Sequence, residues 1–384
     1  MRHHVDSVGS VPLFEIAASI QAADSAFIGA LPLERSLLLK GSIPPRTMST
    51  AGETERAPRV APLKGPLNRS DFHAFIRKIT SPDDEVDEKL CDAVFELFDK
   101  DSDNILSESE TESVNQRLIS AINDFRTALI VVDFQNDFVS GSLAIGNGGA
   151  KQNPMEALAP LNRLLTTTPT FDIIIYTLDW HPSNHISFYE HCRNSDRTLA
   201  SQDRLRKLKP FDTVAFESPD MTQRLYPTHC VQKSWGSELS PNLIVAEDAK
   251  FIHKGFEVYV DSYSAFYNNT KTTRSDLEQT LKAENIHAVF VCGLAHDICV
   301  AATAHDALDL GFLTAVVEDC SKGLDITDIE TANRALKYKK CAIINSKAAE
   351  SFLKTHRIPW VWIAKLCGMY DNSNPESNEV SNNH

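Results

Sequence analysis

Cys299 sits in Gly293-Leu294-Ala295-His296-Asp297-Ile298-Cys299-Val300, just past an apolar run from His287 to Cys292 that reads as a buried strand. A helix is expected from Asp297 to Leu310, with Gly311 as its C-cap. The thiol then falls in a first helical turn, where unpaired amide N–H groups and the positive end of the dipole favour a thiolate nucleophile. The plainer alternative is a cysteine acting as a small buried hydrophobe. Asp133 opens the run Asp133-Phe134-Gln135-Asn136-Asp137-Phe138 after a second apolar stretch. A carboxylate there is a turn former or a site residue. Lys254 follows Phe251-Ile252 and precedes Gly255; near two carboxylates it would hold a thiolate and an acid in place rather than being solvated. Asp179-Trp180-His181 ends a third apolar run, with His185 four residues on, and His229 stands in Tyr226-Pro227-Thr228-His229-Cys230. Oxygen and imidazole donors of this kind suit Zn²⁺ or a similar ion.

A second group of oxygen donors lies nearer the N-terminus, in a loop from Asp99 to Glu110. Asp99, Asp101, Asp103 and Glu110 take the first, third, fifth and twelfth positions of a calcium loop, and Ile105 the carbonyl position. Apolar residues at helical spacing precede it (Leu90, Val94, Phe95, Phe98) and follow it (Val114, Leu118, Ile122), so the stretch resembles an EF-hand. Asn104 stands where glycine is usual, and Asn tolerates positive φ better than most residues. The alternative is an acidic, solvated turn between two helices.

These residues need elements to carry them. Apolar runs at 128–132, 173–178, 287–292, 312–317 and 341–345 alternate with helical patterns at 155–165, 273–283, 298–310, 326–338 and 347–355. That alternation predicts an α/β fold, a parallel sheet sandwiched by helices, with ligands outside the carboxyl ends of the strands. The 384 residues are expected to divide into a disordered segment 1–64, a helical EF-hand-like domain 65–123, an α/β domain 124–368 and a disordered tail 369–384. A net charge of −14 argues against nucleic acid or an anionic membrane as partner. Eight scattered cysteines fit reduced thiols in an intracellular protein.

Taken together and in this order, the runs at 133–138, 179–181, 227–230, 254–255 and 293–300 resemble the nicotinamidase branch of the isochorismatase-like cysteine hydrolases. The resemblance implies hydrolysis of nicotinamide to nicotinic acid and ammonia, in NAD salvage, through a cysteine thioester. It makes Asp133, Lys254 and Cys299 the catalytic residues. Asp179, His181 and His229 become metal ligands, joined by His185, with Glu190 as its rival. The metal would be Zn²⁺, with Fe²⁺ or Mn²⁺ as alternatives, beside Ca²⁺ in the acidic loop. Phe138 and Tyr226 would stack on the substrate ring. A non-proline cis peptide would fall at Leu294–Ala295, aiming the amides of Ala295 and Cys299 at one point as an oxyanion hole. It further implies a homo-oligomer, while the composition is that expected of a cytoplasmic protein, with the nucleus as a second location. Two rival functions are another small-amide hydrolase of the superfamily and a calcium-responsive binding protein.

Overall fold

Residues 127–132 are buried along their whole length, and the main sheet is built outward from them. The computed structural model describes residues 60–168 and 170–370. In chain order its strands are β1 (Leu67–Asn68), β2 (Ile105–Leu106), β3 (Thr127–Val132), β4 (Ile173–Asp179), β5 (Thr198–Leu199), β6 (Thr213–Ser218), β7 (Asp220–Arg224), β8 (Lys250–Lys254), β9 (Ala288–Leu294), β10 (Leu313–Lys322) and β11 (Ala342–Ile344). Six of them form one sheet in the order β11-β10-β9-β3-β4-β8, every pairing parallel. Parallel neighbours need crossovers, and helices Met155–Leu165, Leu277–Ala283, Ala301–Asp309 and Ile326–Tyr338 supply them. Alternate residues enter opposite layers. Leu129, Val131, Phe290 and Cys292 join one apolar cluster, while Ala128, Ile130, Val132, Val289 and Val291 join another.

This is the expected parallel sheet between helices, with β3 flanked by β4 on one side and β9 on the other. In such sheets the crevice lies past the carboxyl ends where the order reverses. Gly293 makes the close approach of β9 to β3 there: at φ 121°, a Cβ would lie 2.1 Å from the Val132 carbonyl oxygen. The Leu294–Ala295 peptide is cis. The helix carrying Cys299 differs from the expected regular start. Residues His296–Val300 form a wide π turn, with Val300 N–H donating to the Ala295 carbonyl at 3.1 Å, before α-helix Ala301–Asp309 begins.

Besides β8 and the short pair β1 and β2, two larger features have no counterpart in the sequence reading. One is the antiparallel sheet β5-β6-β7, whose last strand is Asp-Met-Thr-Gln-Arg and carries no apolar run to betray it. The other is the helix Trp360–Leu366. That helix changes the view of the N-terminal part. Phe72, Phe95, Leu118 and Ile122 belong to the same apolar cluster as Phe290, Trp362 and Ile363, so the core runs across the boundary expected at residue 124. Asp84 accepts the Trp360 amide at 2.7 Å, and Ser81 donates to the Ile358 carbonyl at 2.9 Å.

Residues 60–64 are also held, contrary to the expected disorder. Asn123 Oδ1 accepts from Val60 N and Asn115 Oδ1 from Leu63 N, each at 2.7 Å. The remainder of that segment, and the tail from residue 371, lie outside the described residues. Among the described residues no helix is long and apolar enough to cross a membrane.

The acidic loop joins helix Glu88–Phe98 to helix Glu108–Val114, and β2 within it pairs antiparallel with β1. Asn104 has φ 65°. The carboxylates of Asp99, Asp101 and Glu110 offer oxygens within 4.8 Å of one another. Asp103 accepts the Ile105 amide at 2.8 Å. Asp99 is buried, and its Oδ1 has no hydrogen-bond partner.

Candidate active site

The ends of β3, β4, β8 and β9 bring Asp133, Asp179, Lys254 and Cys299 together. Asp179 and Lys254 are register partners at the ends of β4 and β8. Lys254 is 2 % exposed and its ammonium is the hub. Nζ lies 2.8 Å from Asp133 Oδ2, donates to Asp179 Oδ1 and to the Ser262 carbonyl at 2.9 Å, and reaches Cys299 Sγ at 3.4 Å. Asp133 is fully buried, adopts φ 46°, and accepts from Thr177 Oγ1 at 2.6 Å. Positive φ in a residue other than glycine is uncommon and concentrates at functional sites.

Burial pushes the Asp133 carboxyl up to about 6, although Lys254 pulls against it. For Asp179 burial also raises the pKa, but Lys254 and the two histidines outweigh it, so the group stays ionised. Burial drives the Cys299 thiol well above its usual range; Lys254 opposes that, and Asp133 adds to it. The resting sulfur is therefore a thiol with an acceptor beside it. Burial thus works against the thiolate that the helix dipole was expected to favour.

His181 and His229 each turn Nδ1 to a backbone carbonyl, Gly255 at 2.7 Å and Pro227 at 2.8 Å. Their Nε2 atoms then face Asp179 Oδ2 at 3.5 and 3.9 Å. His181 Nε2 is buried without a hydrogen-bond partner. Burial depresses the His229 pKa to about 4, leaving the neutral imidazole that a metal requires. One carboxylate and two imidazoles with donor atoms within 4.8 Å of one another, one of them orphaned, fit a divalent ion. Gly255 forms the floor: at φ 68°, a Cβ there would lie 2.5 Å from the His181 ring.

The expected fourth ligand, His185, is not in that trio. It stacks on His181 with ring centroids 4.1 Å apart, and its Nδ1 is 2.7 Å from Ser187 Oγ. Its near donors are His181 and the buried Asp261. Glu190, the rival, accepts from Thr228 N at 3.1 Å and Thr228 Oγ1 at 2.8 Å. Phe138 and Tyr226 do flank the trio, with ring centroids 5.6 and 5.8 Å from His229. Ala295 is the N-cap of the π turn His296–Val300, whose fourth residue is Cys299.

Several residues that hold the site escaped the sequence reading. Gln135, fully buried, donates Nε2 to the Asp179 and Ser237 carbonyls at 2.8 and 2.9 Å and accepts the Asp179 amide at 2.8 Å. It joins the ends of β3 and β4. Asp137 accepts the Cys230 amide at 2.7 Å, fixing the residue next to His229. Both lie inside the 133–138 run, where three more polar side chains beside Asp133 were the available signal. Asp297 accepts the amides of Leu324 and Asp325, each at 3.0 Å, tying the Cys299 turn to the loop after β10.

The isochorismatase domain profile matches residues 127–348. A nicotinamidase of Acinetobacter baylyi is 40 % identical over 200 residues, 52 % of this chain and 82 % of its own length. One of Saccharomyces cerevisiae is 33 % identical over 228 residues, 56 % of this chain and 97 % of its own. Among solved structures, a nicotinamidase–pyrazinamidase of Acinetobacter baumanii aligns with TM-score 0.50 at 34 % identity, covering 58 % of this chain and 98 % of its own.

Proposed function

The chain belongs to the isochorismatase family, and from that premise we propose that it is a nicotinamide amidohydrolase, acting in NAD salvage. The observation that carries the reading is the single buried ammonium shared by Asp133, Asp179 and Cys299. Asp133 takes the thiol proton while Lys254 holds the resulting charge in place. Sulfur adds to the carboxamide carbon. The amides of Ala295 and Cys299 receive the developing oxyanion, which is commonly worth about 3 kcal/mol or more. Asp133 returns the proton to the departing ammonia, leaving a thioester. Water, deprotonated by Asp133, cleaves it to nicotinic acid and restores the thiol.

Asp179, His181 and His229 would hold a divalent metal, and their mixed oxygen and nitrogen donors favour Zn²⁺. Bound there, the ion supplies a Lewis acid for the pyridine nitrogen. Phe138 and Tyr226 would sandwich the ring. The test is incubation with nicotinamide, with and without a chelator, following ammonia. A panel of small amides separates this substrate from its relatives, and release of ammonia only from another amide would overturn the assignment.

The calcium reading of the acidic loop is supported by Asp99 Oδ1, a buried oxygen without a hydrogen-bond partner, and by oxygens of Asp99, Asp101 and Glu110 within 4.8 Å of one another. Calcium titration followed by thermal unfolding tests it.

A further inference from the structure

Strand β4 reads Ile-Ile-Ile-Tyr-Thr-Leu-Asp and is buried along its whole length. Thr177 is fully buried within it. A buried hydroxyl is costly unless it is hydrogen-bonded, and a valine would fill nearly the same space without that cost. The Thr177 hydroxyl directs both of its capacities at one neighbour. Oγ1 donates to Asp133 Oδ1 at 2.6 Å and accepts from the Asp133 amide at 3.2 Å. A hydroxyl this close to a carboxylate makes a strong, charge-assisted bond. The other Asp133 oxygen is placed differently. Oδ2 is buried without a hydrogen-bond partner, although the Lys254 ammonium is 2.8 Å away. An ammonium has three N–H bonds, and Asp179 Oδ1, the Ser262 carbonyl and Cys299 Sγ accept them. Oδ2 therefore keeps free lone pairs beside the nitrogen that also touches the sulfur. Oxygens of Asp133 and Asp179 and the Cys299 sulfur lie within 4.8 Å of one another.

We propose that Thr177 is a positioning residue that decides which oxygen of Asp133 acts as the base. It caps Oδ1 and leaves Oδ2 to take the thiol proton. In that step the S–H bond breaks, its electron pair stays on sulfur, and an O–H bond forms at Oδ2. The same proton later passes to the departing ammonia. The inference rests on the amidohydrolase reading. It predicts a loss confined to the chemical steps, because an uncapped carboxylate turns and offers either oxygen. With the metal-loaded full chain, Thr177→Val should lower kcat for nicotinamide about 10- to 100-fold, the scale of a lost hydrogen bond to a charged group. KM should stay within about twofold, since the residue touches no substrate. Thr177→Ser keeps the hydroxyl and should remain within about threefold of the wild type in kcat. Metal content after dialysis should be the same in all three proteins.

An unchanged kcat in Thr177→Val would overturn the proposal. So would a fall in Thr177→Ser as deep as that in Thr177→Val, which would make the methyl group the working part. Loss of metal in step with loss of activity would overturn it as well, by assigning the effect to the neighbouring ion seat. Should Thr177→Val not fold, Thr177→Ser against Thr177→Ala carries the same comparison of hydroxyl with no hydroxyl. Should the wild type leave nicotinamide intact, the amidohydrolase reading fails separately. Alkylation of Cys299 by iodoacetamide, followed by peptide mass, then tests the residue without a substrate. Slower alkylation in Thr177→Val, restored in Thr177→Ser, supports the assignment of Oδ2; equal or faster alkylation in Thr177→Val overturns it.

Discussion

Two groups of carboxylates in this molecule are assembled in different ways. In the loop from Asp99 to Glu110 the partners are neighbours in sequence: Glu110 accepts the amides of Lys100 at 2.6 Å and Ser107 at 2.9 Å, and Asp99 accepts that of Asn104 at 3.0 Å. At the rim of the main sheet, Asp133 and Asp179 meet through Lys254, which arrives from β8. The loop's order is local; Asp101 and Asp103 are open to water, while Asp99 and Glu110 are buried. The rim's order depends on the whole sheet, and its charges are buried. Burying a charge is tolerable only when it is paired, so removing one rim partner should cost far more than removing one loop partner.

The largest effect should come from Cys299→Ala, with turnover falling by about a millionfold, the scale of a lost nucleophile, while circular dichroism is unchanged. Retention of most activity would end the nucleophile assignment. Lys254→Met should act on both activity and fold. It leaves two buried carboxylates without their cation, and urea unfolding should register a loss of about 3–5 kcal/mol. Asp179→Ala should lower metal affinity at least about 100-fold, read as metal content after dialysis; undiminished content would remove Asp179 from the ion seat. Next comes pH. The Asp133 carboxyl must be ionised to accept the thiol proton, and its pKa is raised to about 6. The base is present above that value and lost below it, so kcat/KM should fall on the acid side with a midpoint near pH 6. The smallest effect belongs to the loop: Asp99→Ala should leave turnover within about twofold and abolish any rise in Tm on adding calcium. A tenfold loss of turnover there would show that the two regions are coupled and blur the contrast.

The same contrast explains what could be read from sequence. The calcium-type spacing is contiguous, so all its ligand positions were visible at once. Asp133, Asp179, Lys254 and Cys299 are far apart in the chain, and only their place at the ends of apolar runs hinted that a parallel sheet would gather them. Five of the six main-sheet strands followed from those runs, β8 being the exception. β5 to β7 did not, because a small, partly exposed sheet needs no unbroken apolar stretch. His185 lies beside the trio of Asp179, His181 and His229 rather than in it, because spacing along a loop does not say which way a ring turns. Its Nδ1 found Ser187 instead. Gln135 was passed over because a glutamine after a strand has no chemistry of its own to advertise.

Gln135 has a consequence for how the rim behaves in use. It spans the ends of β3 and β4 with an amide, a group that neither gains nor loses a proton at any pH the protein would survive. The ruler that sets the gap between the proton acceptor and the ion seat is thus electrically silent. Protons can shuttle and an ion can come or go without altering the distance over which they must cooperate.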